Sequence, residues 1–331
     1  LAKASVAGGK AEESKASKTS TDQGGGVSND IQNQSKFAEE RGAKSGADSK
    51  SSSSTEGKTK ADTADGSVQF AGAIGVTVAV TRTHATIDGG LSVKSDGALT
   101  LKSESNTDAA TLADGAAKTD KTGTGVGIAV AVNVADVENK AVIGAGATVE
   151  AAGLNVQALM ASGAGFDAGG KAVSSDARHS FGASAVSGAS KGDTGVAGSL
   201  AVNVGLTDAL AVVESGASVD ITGGKDVDIK AQNTVTNSAT AKAKQDGAND
   251  FGMGASIAVN VGETDTDAIL GAEATVQGAG SLSLSAASAN TMTTRAEGGA
   301  KGVVTCAGAF SAGWSHWRWP RGAPNASGAC T

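Results

Sequence analysis

From Val126 to Val134 every second residue is Val or Ile, and the residues between are Gly, Ala or Asn: Val126, Ile128, Val130, Val132 and Val134 lie on one parity, Gly127, Ala129, Ala131 and Asn133 on the other. Period-two alternation is the mark of a β-strand, whose successive side chains point to opposite faces. Here one face is large and the other small, so a second layer can lie close against the small face. The next residues, through Ala158, are short apolar groups broken by Gly146 and Gly153, which reads as several short strands joined by tight turns.

The same stretch recurs. Long-strand copies start near Ile74, Val126, Val196 and Met253, with Thr81, Asn133, Asn203 and Asn260 in equivalent places at separations of 52, 70 and 57 residues. Asn at matched positions predicts a side-chain ladder between copies. A second block of short apolar pairs follows each copy, with Gly97, Gly153, Gly224 and Gly280 before its last strand; positive φ is expected at these four corners. A third block closes each unit: residues 104–125, 159–195 and 232–252. Each is rich in Ala, Ser, Thr, Asp and Lys and of variable length, which reads as surface loop.

Composition favours a thin core. The 331 residues include 48 Gly, six Phe, three Trp and no Tyr, so the apolar content is mostly Ala and Val. Units of three or four short strands bury too little alone and gain by stacking, each covering its neighbour's edge. The expected fold is all-β: a right-handed parallel β-helix, or β-solenoid, of imperfect repeats about 50–70 residues long with polar loops. A β-sandwich array is the alternative. Repeats are expected over 66–302, divided at about 66–125, 126–195, 196–252 and 253–302. Residues 1–65 form a polar, flexible segment or an oversized third block. Residues 303–331 start a further repeat that runs into an atypical tail with all three Trp, both Pro and both Cys. A binding tip, a terminal cap and a shifted reading frame each account for that tail, and the last fits its Arg, Trp, Pro and Cys best.

Net charge is −7, from 27 basic and 34 acidic residues, which argues against a nucleic-acid partner. Only Cys306 and Cys330 occur, so disulfides do not staple the body. No apolar run is long enough for a transmembrane helix. The chain begins at Leu1 without a signal segment and reads as a fragment or processed piece.

No residue is singled out as catalytic, cofactor-binding or metal-ligating. The Gly188–Gly192 stretch has the spacing of a nucleophile elbow but lies in a Ser/Gly-rich stretch read as loop. Gly165–Lys171 resembles a phosphate loop but carries Ala172 where a Ser or Thr is needed. His84, His179 and His316 read as solvated surface residues. Asp226/Asp228 and Glu263/Asp265/Asp267 read as solvated acidic turns, with calcium as the weaker alternative.

The unit Gly-Ile-Ala-Val-Ala-Val-Asn-Val at 127–134, with the glycine-punctuated block after it, resembles the repeats of large bacterial exported adhesins: filamentous-haemagglutinin-like and leukotoxin-type adhesins and some autotransporter passengers. The resemblance covers about residues 68–310. It implies a right-handed parallel β-helix at the cell surface or secreted. It also implies attachment to host or bacterial surface molecules, glycan or protein, through loops or other parts of the protein, without catalysis or cofactors. A β-helical carbohydrate-active enzyme and a self-assembling matrix protein are the alternatives.

Overall fold

The computed structural model describes residues 4–7, 68–118, 123–190, 192–246, 250–301, 304–315 and 325–330, and among them there is no helix. After β1 (Ala4–Ala7), the first unit runs through β2 (Val68–Ile87), β3 (Ser92–Lys94), β4 (Ala98–Ser105) and β5 (Asp108–Lys118). The second has β6 (Thr124–Ile143), β7 (Thr148–Ala151), β8 (Gly153–Met160), a hairpin of β9 (Gly163–Phe166) and β10 (Ala172–Asp176), and β11 (His179–Ser190). The third has β12 (Thr194–Val213), β13 (Ser218–Ile221) and β14 (Val227–Asp246); the fourth has β15 (Phe251–Leu270), β16 (Thr275–Gln277) and β17 (Leu282–Gly299). β18 (Val304–Ser315) opens a fifth unit, and β19 (Asn325–Cys330) follows.

Equivalent strands of successive units pair in parallel, which builds three sheets. A long sheet holds β2, β6, β12, β15 and β18 in that order, with β19 antiparallel on β18. A short sheet holds β3, β7, β13 and β16. A return sheet holds β1, β5, β11 and β14, with β8, β4 and β17 joined through β14. Pairing in the long sheet is residue for residue over twenty positions between β6 and β12.

Three expectations are corrected here. The long strand does not end near Val134 but runs on to Ile143, so Ala141–Ile143 is its end and not a separate short strand. The third blocks are not mainly surface loops: they supply β5, β11 and the second half of β14, the sheet that faces the long one. Their Ala, Ser and Thr give little hydropathy signal, yet Ala109, Ala113, Ala183, Ala185, Ala239 and Ala241 are buried. Only residues 161–178, which carry the β9–β10 hairpin, are a true insertion, and they lengthen the second unit to a 70-residue spacing. Finally, the residue opposite Asn133 is Thr77, not Thr81. A slip of four residues preserves strand parity, so hydropathy cannot detect it.

The expected polar segment 1–65 lies outside the described residues except for 4–7, and of the tail 303–331 the residues 303, 316–324 and 331 lie outside them. Within them, β1 pairs in parallel with β5, the place a third block of a preceding unit would take. β18 continues the long sheet in register with β15.

The core changes character along the strands. Beside the short sheet it is aliphatic, with Ile143, Leu154, Val156, Val213, Val219 and Ile229 fully buried. Midway it holds Phe181, Val137 and Val235. At the far end it is alanine only, including Ala73, Ala129, Ala131, Ala201 and Ala258. β6 shows the reason in its sequence. From Val126 to Val134 the large residues occupy the parity that faces out; from Val137 to Ile143 the large inward residues lie on the other. The small parity of the first half is therefore the interior, and the facing sheet is the close second layer.

The positive-φ corners also differ from expectation. Of Gly97, Gly153, Gly224 and Gly280, only Gly224 has positive φ. Gly153 serves space instead, because a Cβ there would lie 2.9 Å from Lys225 Cβ. The repeated left-handed corner is the first turn, at Gly90, Gly146 and Gly216 with φ of 72°, 67° and 71°. In the fourth unit Glu273 takes that place with φ 60°. A left-handed residue with a Cβ is disfavoured by about 1–2 kcal/mol, partly offset by the greater freedom of unfolded glycine. Glu273→Gly is expected to raise stability by about 1 kcal/mol in urea unfolding, and Glu273→Ala to give no such gain.

Candidate functional surface

Because small residues fill the inner parity of the long sheet, its large residues are left outside. Register stacks them into columns: Ile74, Val130, Leu200, Ile257 and Phe310 form one, and Val76, Val132, Val202 and Val259 the next. Val78, Val134, Val204 and Val261 form a third. Ile74 is 72 % exposed, Val78 67 % and Ile257 46 %. Scattered surface apolar residues are ordinary, whereas a contiguous apolar grid marks a place of contact.

Two residues further along the strands the outer face turns charged. Arg82 on β2 pairs with Asp136 and, at 3.2 Å, with Glu138 on β6. His84 Nε2 is 2.8 Å from Glu138 Oε1, and Lys140 reaches Glu138 at 2.7 Å and Asp208 at 3.3 Å. The Lys140 ammonium is the main cause that holds the Glu138 carboxyl below its ordinary range, while burial pushes Asp208 up. Further across, β15 presents Glu263, Asp265 and Asp267 on the same face. They sit along a strand, not in a turn as expected. A shallow depression of about 200 Å³ lies over Asp136, Glu138, Leu206, Asp208, Glu263 and Asp265. That is smaller than the roughly 300–1,000 Å³ of a typical ligand pocket. Among the described residues no group of three His, Cys, Asp or Glu could hold a metal ion.

Of the histidines, His84 is exposed as expected and the side chain of His316 lies outside the described residues. His179 is a correction. It is 2 % exposed, opens β11 on the inward parity two residues before Phe181, and stacks on that ring at 6.0 Å between centroids. The backbone N–H of Thr107 donates to its Nδ1 at 2.9 Å, a bond that only the neutral ring accepts. Burial lowers its pKa from 6.5 to about 4, opposed in part by the Asp176 carboxylate. The unfolded chain thus takes up this proton at higher pH than the folded one. Stability from this group is complete above about pH 6.5 and falls until about pH 4, a loss of about 3 kcal/mol. His179→Gln is expected to lack that part of the pH dependence when urea unfolding is compared at pH 7 and pH 4.

Neither motif-like stretch becomes a site. Ser190 is the last residue of β11, so the elbow-like sequence ends a strand and is not in a loop; a strand, β12, follows where an elbow requires a helix. In Gly165–Lys171 the Asp167 carboxylate accepts the N–H groups of Gly169 and Lys171, both at 2.9 Å, in the turn of the β9–β10 hairpin. A carboxylate already occupies the donors a phosphate would need.

The apolar grid went unread in the sequence as a surface, although the signal was present. Gly and Ala on one parity of several repeats require a facing backbone, which commits Val and Ile to the outside. No protein-family model, curated protein or solved structure matches this chain.

Proposed function

We propose that the chain is a stretch of a right-handed β-solenoid that serves as a structural and adhesive repeat region of a bacterial surface or secreted protein, without catalysis. The observation that carries this reading is the unbroken residue-for-residue parallel register between long strands of successive units. Strands paired this way and joined through the other two sheets form a rod extendable by further units, the form suited to holding a binding element away from a surface. The right hand of the proposed coil is supported by the general chirality of parallel crossover connections, about 98 % of which have that hand. Sequence resemblance to exported adhesin repeats supports the assignment to a cell-surface or secreted context. Contacts with surface glycans or proteins then belong to variable parts such as the β9–β10 hairpin, or to regions beyond these repeats.

The test is an attachment assay with the full chain immobilised on an inert surface. Host or bacterial cells are expected to be retained above the level given by an unrelated β-rich protein, and a polysaccharide panel to release no reducing ends. Retention at background level, or cleavage of any polysaccharide, would contradict the reading.

A further inference from the structure

We propose that the apolar outer face of the long sheet is the contact between two copies of this chain, packed face to face about a twofold axis parallel to the strands. The inference depends only on the geometry of that face, not on adhesion.

The size of the grid is sufficient. Outward positions from Phe70 to Val78 and their partners on β6, β12 and β15 cover an apolar patch four strands wide. With strands about 4.8 Å apart and about 3.3 Å of rise per residue, this is roughly 500 Å² per copy. The pair of apolar faces then buries about 1,000 Å², the level a specific interface has to clear, and the charged rows beside it, through His84, extend the contact beyond that.

Other occupants fit less well. Residues 8–67 contain only Val27, Ile31 and Phe37 as apolar residues larger than Ala, too few to cover the grid. An anionic membrane would be repelled by the carboxylates of Asp208, Glu263, Asp265 and Asp267 on the same face.

A second copy fits the apolar rows and the charged groups at both edges. At the centre Glu138 faces Asp208 of the partner subunit, and Lys140, which pairs with both Glu138 and Asp208 in its own copy, offsets that contact. Charge on the face is graded across the strands: Arg82 and His84 on β2, a mixed set on β6, Asp208 on β12, and acidic residues alone on β15. An axis parallel to the strands, between β6 and β12, keeps every row at its own level and reverses strand order. Apolar rows then lie on apolar rows. Arg82 and His84 face Asp265 and Asp267 of the partner subunit, and the reciprocal contact forms at the other edge, as an isologous interface requires. An axis across the strands sets β2 over β2, and it either lays charged rows on apolar ones or leaves them beyond the contact. Electrostatic complementarity selects the first arrangement.

The experiment is sedimentation equilibrium of the full chain, with far-UV circular dichroism and thermal melting as fold controls. A dimer is expected. Val202→Glu places a charge in the central apolar rows without touching the core and is expected to weaken association more than about 100-fold at unchanged melting temperature. Asp267→Lys is expected to weaken it about tenfold, and adding His84→Asp to restore most of that loss, because the two positions oppose each other across the interface. A monomer at about 50 µM, well above the Kd range of specific interfaces, overturns the proposal. So does a dimer unaffected by Val202→Glu, or a charge pair whose effects simply add. Binding of the monomer to neutral phosphatidylcholine vesicles would likewise overturn it, by assigning the face to lipid.

Discussion

Gly127→Val is expected to be among the most destabilising single substitutions in this chain, although it adds an apolar side chain to a buried strand. Gly127 lies where the long and return sheets approach closely. A Cβ there would overlap the Gly188 carbonyl and lie 2.7 Å from the Gly115 carbonyl oxygen, both on the return sheet. The sheets are therefore well within the ~10 Å of ordinary sheet-on-sheet packing. Neither carbonyl can turn aside without breaking its parallel ladder. Overpacking of a core is commonly destabilising by about 1–3 kcal/mol, and a collision with two backbone carbonyls belongs at the top of that range or above it. The register partners Ala71 and Ala197 carry a methyl group, whereas Gly254, the next residue in the same row, meets the Gly299 carbonyl in the same way, so the collision belongs to the second and fourth units. Truncating the neighbouring Ile128, which points outward and is 39 % exposed, is expected to change stability by less than about 1 kcal/mol. Urea unfolding of both variants checks this inverted order. Near-native stability for Gly127→Val would show that the sheets are not this close.

Asn203→Ala is expected to be comparably damaging. Asn203 is fully buried at the centre of the predicted ladder. Asn133 Nδ2 donates to its Oδ1 at 2.8 Å, and its own Nδ2 donates to Asn260 Oδ1 at 2.9 Å and, across to the return sheet, to Asn237 Oδ1 at 3.2 Å. Removing it strips a partner from three buried polar atoms at once. At about 1–3 kcal/mol for each group left unsatisfied, the expected loss is about 4 kcal/mol, larger than for Asn260→Ala at the next rung. The converse substitution tests the same ladder. Asn133 Oδ1 accepts no hydrogen bond among the described residues, and Thr77 stands opposite Asn133 in register. Thr77→Asn adds a donor at that rung and is expected to stabilise by about 1 kcal/mol. Chemical denaturation of the three variants gives the ranking; equal effects for Asn203→Ala and Asn260→Ala would contradict a continuous ladder.

The sequence was most informative where repeats agree in residue type. Asn133, Asn203 and Asn260 aligned correctly because the same Val-Asn-Val frame surrounds each of them. Thr77 escaped because β2 carries no Asn and its alternation fits equally well four residues along. The return sheet was harder to see. Beyond Phe181 and Val235, the inward residues of β5, β11 and the second half of β14 are mostly Ala, Thr, Ser and Asn, whose hydropathy is that of a loop, and only pairing makes them a core. Glycine spacing pointed to the wrong corner, because Gly153 and Gly280 recur for clearance and Gly90, Gly146 and Gly216 for conformation. His179 was misread for a related reason: it follows an inserted hairpin without a counterpart in the other units among the described residues, so no repeat marked its inward parity. The outward apolar grid and its charged border depend on which parity faces in. Period-two alternation alone leaves that choice open until the facing sheet is recognised.

The central claim is that successive units stack in parallel and in register, with Val and Ile columns on the outer face. Methyl-resolved nuclear Overhauser spectroscopy on deuterated, Ile/Leu/Val-labelled chain tests it without any substitution. Cross-peaks are expected to run in series from Ile74 to Val130, Leu200 and Ile257, and in parallel from Val76 to Val132, Val202 and Val259. Cross-peaks from Val130 to positions four residues away from Leu200, or a pattern that reverses direction between neighbouring strands, would contradict it.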